Sequence, residues 1–510
     1  MNRMRTPMPH PTTLPARLRP RPRPYSRLHS RPSLHLLALV VSASLLAGCA
    51  TSRDDPGASV TLPGQWQENA THPSPQAQPV SADSWQRFGS SELEALLLQA
   101  LEHSPDLAMA RERVIQAELA VRSTGASLFP AVHLNAGTQG REASNAAAAS
   151  DSSSLGVAMS YEIDLWNSNR LSLQGAQAQL AASRFDFEGA RLSLMAGVVN
   201  AYAQALAQQA RIDIARKNLA IAERLFGIVE ARHRNGAVSA LDVSRQRAAV
   251  LTARDALLPM EVQMRQTLRA LAILTGQVPQ GFGIEGGDLY ALTIPEVAPS
   301  VPGELLARRP DLASAEARLA AAEANIALAR AALFPLRLSL GLSSSASSGE
   351  FAFIGLGSPV NVASVSLSLM QAIFDGGRLR AQVDSSESSR RQLVESYRSS
   401  LLTALKEVDD ALASVARSRQ QESAQREIRD EYEQALRLSE LRYREGSDSL
   451  STLLDAQRNL FSAEDSLLQH RLTRITATVD LYKALGGGWQ ADTPADTLPG
   501  TLPSSSPSAE

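Results

Sequence analysis

Apolar and polar positions follow two different periods along this chain, and the change of period marks its elements. From about Arg170 to Arg234, and again from Arg378 to Arg444, apolar residues recur at helical spacing over a length that no proline breaks. In the second stretch Val394, Leu401, Leu405, Val408, Leu412 and Val415 step close to heptad spacing. Each stretch ends in Arg-x-Arg-x-Gly, with Arg232, Arg234 and Gly236 in the first and Arg442, Arg444 and Gly446 in the second. Glycine ends a helix in the left-handed conformation at no steric cost, so each motif predicts a hairpin tip. A new helix then starts, near Ser239 with Leu241, Asp242 and Val243, and near Ser449 with Leu450, Leu453 and Leu454. The first of these runs to about Thr275, with an interruption expected at Pro259.

Between the helices the period falls to two. Val132, Leu134, Ala136 and Thr138 alternate with His133, Asn135, Gly137 and Gln139, and Leu155, Val157, Met159, Tyr161 and Ile163 follow the same rule after a Ser/Ala-rich loop. A second pair places Leu336, Leu338, Leu340 and Leu342 against Arg337, Ser339, Gly341 and Ser343, then Val365, Leu367 and Leu369 against Ser364, Ser366, Ser368 and Met370. Strands of about ten residues suit a tilted membrane-spanning strand, and Phe129, Tyr161 and Trp166 lie near the strand ends, where interfacial aromatics belong. A soluble amphipathic hairpin would show the same alternation.

The chain then proves to be doubled. Pro105-Asp106-Leu107 returns as Pro310-Asp311-Leu312, and Leu128-Phe129-Pro130 as Leu333-Phe334-Pro335, both at an offset of 205 (310 − 105), while the tips repeat at 210 (446 − 236). A nearly constant offset across many motifs is an internal repeat. The expected division is 1–48, 49–82, a first repeat over 83–295, a second over 296–488, and a Pro/Ser/Thr tail over 489–510 expected to be disordered.

Composition narrows the function. The 510 residues carry a net charge of −2 and only 5% aromatics, which suits long, closely packed helices and offers no basic field for nucleic acid. Basic residues concentrate only at the start, where eight arginines from Arg3 to Arg31 precede an apolar run from Leu34 to Leu46. That is the charge pattern of a signal peptide, and the run is too short for a membrane-spanning helix. It ends in Leu46-Ala47-Gly48-Cys49, with Cys49 the single cysteine of the chain, in the manner of a lipobox. Such a thiol takes a diacylglycerol and the new amino terminus an N-palmitoyl chain, a firm anchor, and Ala50 after it matches an outer-membrane address. Residues 49–82, rich in Pro, Ser, Gln and Asn, read as a flexible tether.

Four strands cannot close a sheet, and lipid tolerates no open edge, so the strands have to be shared between chains; three chains would give twelve. The doubled pattern of helix, strand pair and long hairpin, with RYREG, LLDAQRNLF and LYKALGGGW in the second half, resembles the outer membrane factor family of the TolC superfamily. With its lipobox the chain is most similar to the OprM-like, NodT-type efflux lipoproteins. The resemblance implies a mainly α protein with a transmembrane β-barrel: a homotrimer with a twelve-strand barrel in the outer membrane, continued by a periplasmic coiled-coil tunnel. It also implies a periplasmic adaptor and an inner-membrane pump of RND type, so that the chain is the passive exit duct for drugs or other small molecules. A duct for type I protein secretion and a periplasmic coiled-coil lipoprotein without a pore are the alternatives.

The same resemblance implies a periplasmic gate. Asp455 stands where the family has a ring-forming aspartate, and Ser451 stands where a bulky apolar residue is common, so that apolar closure is weaker. Tyr443 and Asp242 match residues that tie neighbouring helices at the tip, and Arg232, Gly236, Arg442 and Gly446 mark the tips that would meet the adaptor or pump.

No enzyme is expected. Gly281-Phe282-Gly283-Ile284-Glu285-Gly286 satisfies G-x-G-x-x-G, but it lies in a connector between Pro279 and Pro295 instead of between a strand and a helix. Of the eight histidines, those of the expected mature fold (His103, His133, His233 and His470) show no metal-ligand spacing and no paired acids, so neither a catalytic site nor a cofactor is expected.

Overall fold

The computed structural model describes residues 62–67, 78–141, 150–299, 301–333, 337–348, 360–370 and 374–489. Cys49 and the expected signal peptide lie outside the described residues.

The chain is mainly helical. Helices α1 (Ser91–His103) and α2 (Pro105–Ala126) lead to strands β1 (Ala131–Arg141) and β2 (Ser150–Ile163), followed by the hairpin of α3 (Ser168–Arg234) and α4 (Ala240–Leu274). The second half repeats the plan with α5 (Pro310–Ala331), β3 (Arg337–Ser348), β4 (Val360–Met370), α6 (Arg378–Arg444) and α7 (Leu450–Ala484). Corresponding helices have equal length, 22 residues in α2 and α5, 67 in α3 and α6, and 35 in α4 and α7. The offset is 205 at α2 and α5 but 210 (378 − 168) at α3 and α6, so the five extra residues fall in the strand hairpin of the second half. At ~1.5 Å per residue the 67-residue helices span about 100 Å.

The strands form one antiparallel sheet in the order β1-β2-β3-β4. Its register lines up Val132, Met159, Leu342 and Val365 in one row, and Tyr161, Leu340 and Leu367 in another. The opposite face carries His133, Ser343 and Ser364, with hydroxyl contacts of 2.8 Å between Ser339 and Ser368 and 2.6 Å between Ser343 and Ser364. A water-soluble sheet covers its apolar side. Here Leu134 is 72% exposed and Val365 73%, so that face is left open. Strands β1 and β4 are the sheet edges.

Each strand pair hands over to a long helix through an aspartate. Asp164 Oδ2 accepts from the amides of Asn169 and Arg170 at 3.1 and 3.3 Å, and Asp375 accepts from those of Gly377 and Leu379 at 2.9 Å each. These bonds satisfy orphan amides at the helix start, and in Asp375 the amides of Leu379 and Gly377 hold the carboxyl below its usual range. The residue before each helix has positive φ, Asn167 at 58° and Gly377 at 87°.

The main core gathers around the middle of α3 and the end of α7, where Val198, Val199, Tyr202, Leu206, Ile475, Val479 and Tyr482 are buried. Against it packs a 3-10 helix, Ala82–Phe88, whose Trp85 and Phe88 meet the Tyr482 ring edge-on at 5.5 and 6.0 Å. The segment expected to be a flexible tether therefore contains docked residues, since Trp66 and Val80 belong to this core as well. Burying such side chains stabilises by about 1.5–3 kcal/mol each, which outweighs the loop-like composition around them. Trp489, placed in the tail by its sequence, likewise packs edge-on against Phe185 at 5.6 Å.

Helix α4 runs unbroken through Pro259, against the expected interruption. Pro259 is exposed, so the carbonyl it leaves without a partner one turn earlier lies on the water side.

The two halves close on themselves in the same way. Gly276 after α4 and Gly486 after α7, 210 apart (486 − 276), lie so close to the carbonyls of His103 and Arg308 that a Cβ would collide with either. Beside Gly486, buried Arg309 donates to both oxygens of Asp311 at 3.0 and 2.8 Å, to Glu407 at 2.8 Å and to the carbonyl of Ala484 at 3.1 Å, fastening the end of α7 to the start of α5. Burial disfavours its charge, yet Asp311 and Glu407 outweigh that and hold the guanidinium above its ordinary value.

Candidate gate at the hairpin tips

Both tips end as their glycines predict. Gly236 (φ 74°) and Gly446 (φ 79°) are left-handed, and the next amides, of Ala237 and Ser447, return to the carbonyls of Arg232 and Arg442 at 2.9 and 2.8 Å. This closes the last helical turn. Ser239 and Ser449 then cap the returning helices, their hydroxyls accepting from the amides of Asp242 at 3.2 Å and Thr452 at 3.3 Å.

The two tips pack on each other. Leu225 and Val229 of α3, Leu436 and Tyr443 of α6, and Leu450 and Leu453 of α7 form a separate apolar cluster. Farther from the tips, Gln457 donates to the Asn218 side chain at 3.1 Å, and Arg224 meets Glu440 at 3.1 Å. Lateral order follows from packing, with α4 on α3, α3 on α7, and α7 on α6.

The predicted gate residues divide. Leu453 and Gln457 face inward on α7, while Ser451, Asp455 and Arg458 share its exposed side. Asp455 meets Arg458 at 3.3 Å, and the Ser451 hydroxyl lies 2.7 Å from that of Ser449. Tyr443 and Asp242 do not meet within the chain. The Asp242 carboxylate closes a capping box, accepting from the Ser239 hydroxyl at 2.7 Å and amide at 3.1 Å, bonds that hold its pKa below the usual range. The Tyr443 hydroxyl is buried with no hydrogen-bond partner among the described residues. Its ring is instead covered by Arg232, whose guanidinium carbon lies 4.7 Å from the ring centroid and whose Nη2 donates to the Arg444 carbonyl at 3.0 Å. Arg442 turns back into its own loop, to both Asp448 oxygens at 3.0 and 3.4 Å.

Sequence reasoning missed two charged links behind the tips. Glu422, buried in α6, meets Arg426, Arg474 and Arg471 at 3.2, 2.9 and 3.3 Å, and Arg471 also donates to the Leu292 carbonyl at 2.6 Å. The other is a pair between Arg211 and Asp465. The repeat offered the signal for Glu422, because the equivalent residue of the first half is Ile212 (422 − 210). Among the described residues no group of three or more His, Cys, Asp or Glu could hold a metal ion, and no helix is long and apolar enough to cross a membrane.

The sequence matches the family described as outer membrane efflux protein twice, over residues 96–277 and 301–487, one match for each half. The pyoverdine export outer membrane protein OpmQ of Pseudomonas aeruginosa is 37% identical over 472 residues, 90% of this chain and 98% of that protein. The antibiotic efflux pump outer membrane protein ArpC of Pseudomonas putida is 33% identical, over 90% of this chain and 96% of that protein. The outer-membrane channel OprN superimposes with a TM-score of 0.75 at 28% identity, covering 85% of this chain and 98% of that one. The open state of the Neisseria gonorrhoeae MtrE channel gives 0.74 at 28% identity, over 85% and 97%. The chain belongs to the outer membrane efflux protein family, as an outer-membrane channel component of an efflux system.

Proposed function

We propose that three copies of this chain close into a twelve-strand barrel, and that the assembly is the passive exit duct of a tripartite system completed by a periplasmic adaptor and an RND-type inner-membrane pump. The observation that carries the reading is the sheet. One face is open and apolar, the other is lined by serines, and β1 and β4 are edges whose backbone groups lipid cannot satisfy. Pairing β1 of one copy with β4 of the next removes both edges and directs the apolar face to lipid. The helices support the same head-to-tail closure. Flanking α4 exposes Leu251, Leu258 and Val262, and flanking α6 exposes Ile428, Tyr432, Leu438 and Leu441, apolar seams suited to each other in a closed ring.

In such a ring Asp455 with Ser451 would form the periplasmic constriction, and the tips at Arg232, Gly236, Arg442 and Gly446 would meet the adaptor. Cys49 would carry diacylglycerol and palmitate. Relatives named for pyoverdine, antibiotic and toluene support small molecules as cargo.

Deleting the gene should raise retention of a fluorescent cationic dye in cells, and the wild-type chain should restore export. Unchanged retention with loss of one protein from the medium would assign the duct to protein secretion.

A further inference from the structure

Arg170 and Arg380 are the third residues of α3 and α6, equivalent by the repeat (380 − 170 = 210), and both are exposed. Neither side chain takes a hydrogen bond or an ion pair among the described residues. The acids at the foot of the sheet, Asp164 and Asp375, are engaged by backbone amides, and neither helix carries an acid in its first turn. A guanidinium there faces the positive end of the helix dipole, so the helix alone gives no reason for it.

Depth supplies the reason. Strands β2 and β4 end at Ile163 and Met370, and at ~1.5 Å per residue each arginine lies within about 5 Å of its helix start. The headgroup layer of a bilayer is about 5–8 Å deep on each side of the hydrocarbon. Helical Cα–Cβ bonds tilt toward the N-terminus, here the direction of the sheet, and a long arginine stem carries its charge farther that way. Trp166 and Phe374, 42% and 91% exposed, precede the two arginines and mark the same level, as aromatic side chains do at a membrane interface.

We infer that Arg170 and Arg380 bind the phosphate of anionic phospholipids at the periplasmic rim of the barrel. In the proposed trimer, two from each of three copies make a ring of six guanidiniums. The planar fork of paired donors suits phosphate. The inference rests on the barrel reading, which turns the apolar face of the sheet to lipid, and adds to it the class of lipid that the rim selects.

Trp166, four residues ahead of Arg170, reports on this site. Trp66 and Trp85 are buried in the main core, and Trp489 packs on Phe185, 15 residues farther along α3 (185 − 170). Full-length oligomers in vesicles would be titrated with brominated phosphatidylglycerol or brominated phosphatidylcholine, and Trp166 quenching gives the ratio of affinities. Wild type should prefer phosphatidylglycerol about fivefold, the effect of one arginine beside an anionic lipid. Arg170→Gln combined with Arg380→Gln should bring the ratio to about one, and the corresponding double lysine variant should keep most of it. Arg417→Gln, an exposed position about 55 Å farther along α6, should match wild type. A ratio near one in wild type, or an unchanged ratio in assembled double glutamine oligomers, would overturn the inference. If that variant fails to assemble, wild type in high potassium chloride decides, because a preference that salt does not reduce would not be one of charge. A preference abolished by inorganic phosphate but not by chloride of equal ionic strength would assign the arginines to free phosphate and overturn the lipid. Trp166 quenched by neither lipid would instead overturn the barrel reading itself.

Discussion

Arg211 of α3 and Asp465 of α7 meet in a two-pronged ion pair, Nε to Oδ1 at 2.5 Å and Nη2 to Oδ2 at 3.2 Å, that ties the first half of the chain to the second. Both side chains are mostly buried, at 27% and 21% exposure, so solvent screens the pair only in part. Arg211→Ala should lower stability by about 1–3 kcal/mol. Thermal melting of the purified protein would show it. Arg216→Ala, which breaks a more exposed pair with Glu261, should shift melting far less.

Glu422 compensates three guanidiniums at once. Glu422→Gln should therefore destabilise more than loss of any one arginine, about 3–5 kcal/mol, because positive charge would remain buried without its counterion. Denaturant unfolding of Glu422→Gln beside Arg426→Ala would separate the two costs. Equal midpoints would show that the cluster is not a compensated unit.

Acid should loosen the clasp at the end of α7. Burial raises the Asp311 carboxyl, but the hydrogen bond and charge of Arg309 outweigh it, and the net folded value lies below the ordinary 3.8. A depressed folded pKa contributes stability above the unfolded value and loses it as pH falls through the folded one. Wild type should thus lose more melting temperature than Asp311→Asn between pH 5 and about pH 2 to 3. Parallel losses would remove Asp311 from the acid response.

Leu367 and Ser366 are neighbours on β4 that belong to opposite faces of the sheet. Leu367→Arg should cost about 2 to 4 kcal/mol at the bilayer midplane, while Ser366→Arg, on the serine face, should be tolerated. Counting heat-sensitive oligomers in outer-membrane fractions distinguishes them. Equal impairment would contradict the assignment of faces.

Much of this was legible because the signals are local and doubled. Strands announced themselves by alternation, as from Val132 to Thr138, and the tips by glycines at 236 and 446 with serine caps three residues on. What stayed hidden depends on long-range packing. Trp66 lies in a Pro- and Gln-rich stretch whose composition says nothing of the core it enters. Pro259 reads as a break, yet exposure lets the helix run through it. Motif position paired Tyr443 with Asp242, but Ser239, three residues ahead of Asp242 in a capping box, claims the carboxylate, and Arg232 covers the ring.

Single-channel conductance of the full-length wild-type protein, recorded beside Asp455→Ala, tests the duct most directly. In the proposed trimer three Asp455 carboxylates would surround one axis, which should make the pore prefer cations. Wild type should therefore give discrete conductance steps and, in a potassium chloride gradient, a reversal potential on the cation side, with that preference reduced in Asp455→Ala while oligomer yield stays the same. Bilayers that remain silent after incorporating intact oligomers would contradict an outer-membrane duct.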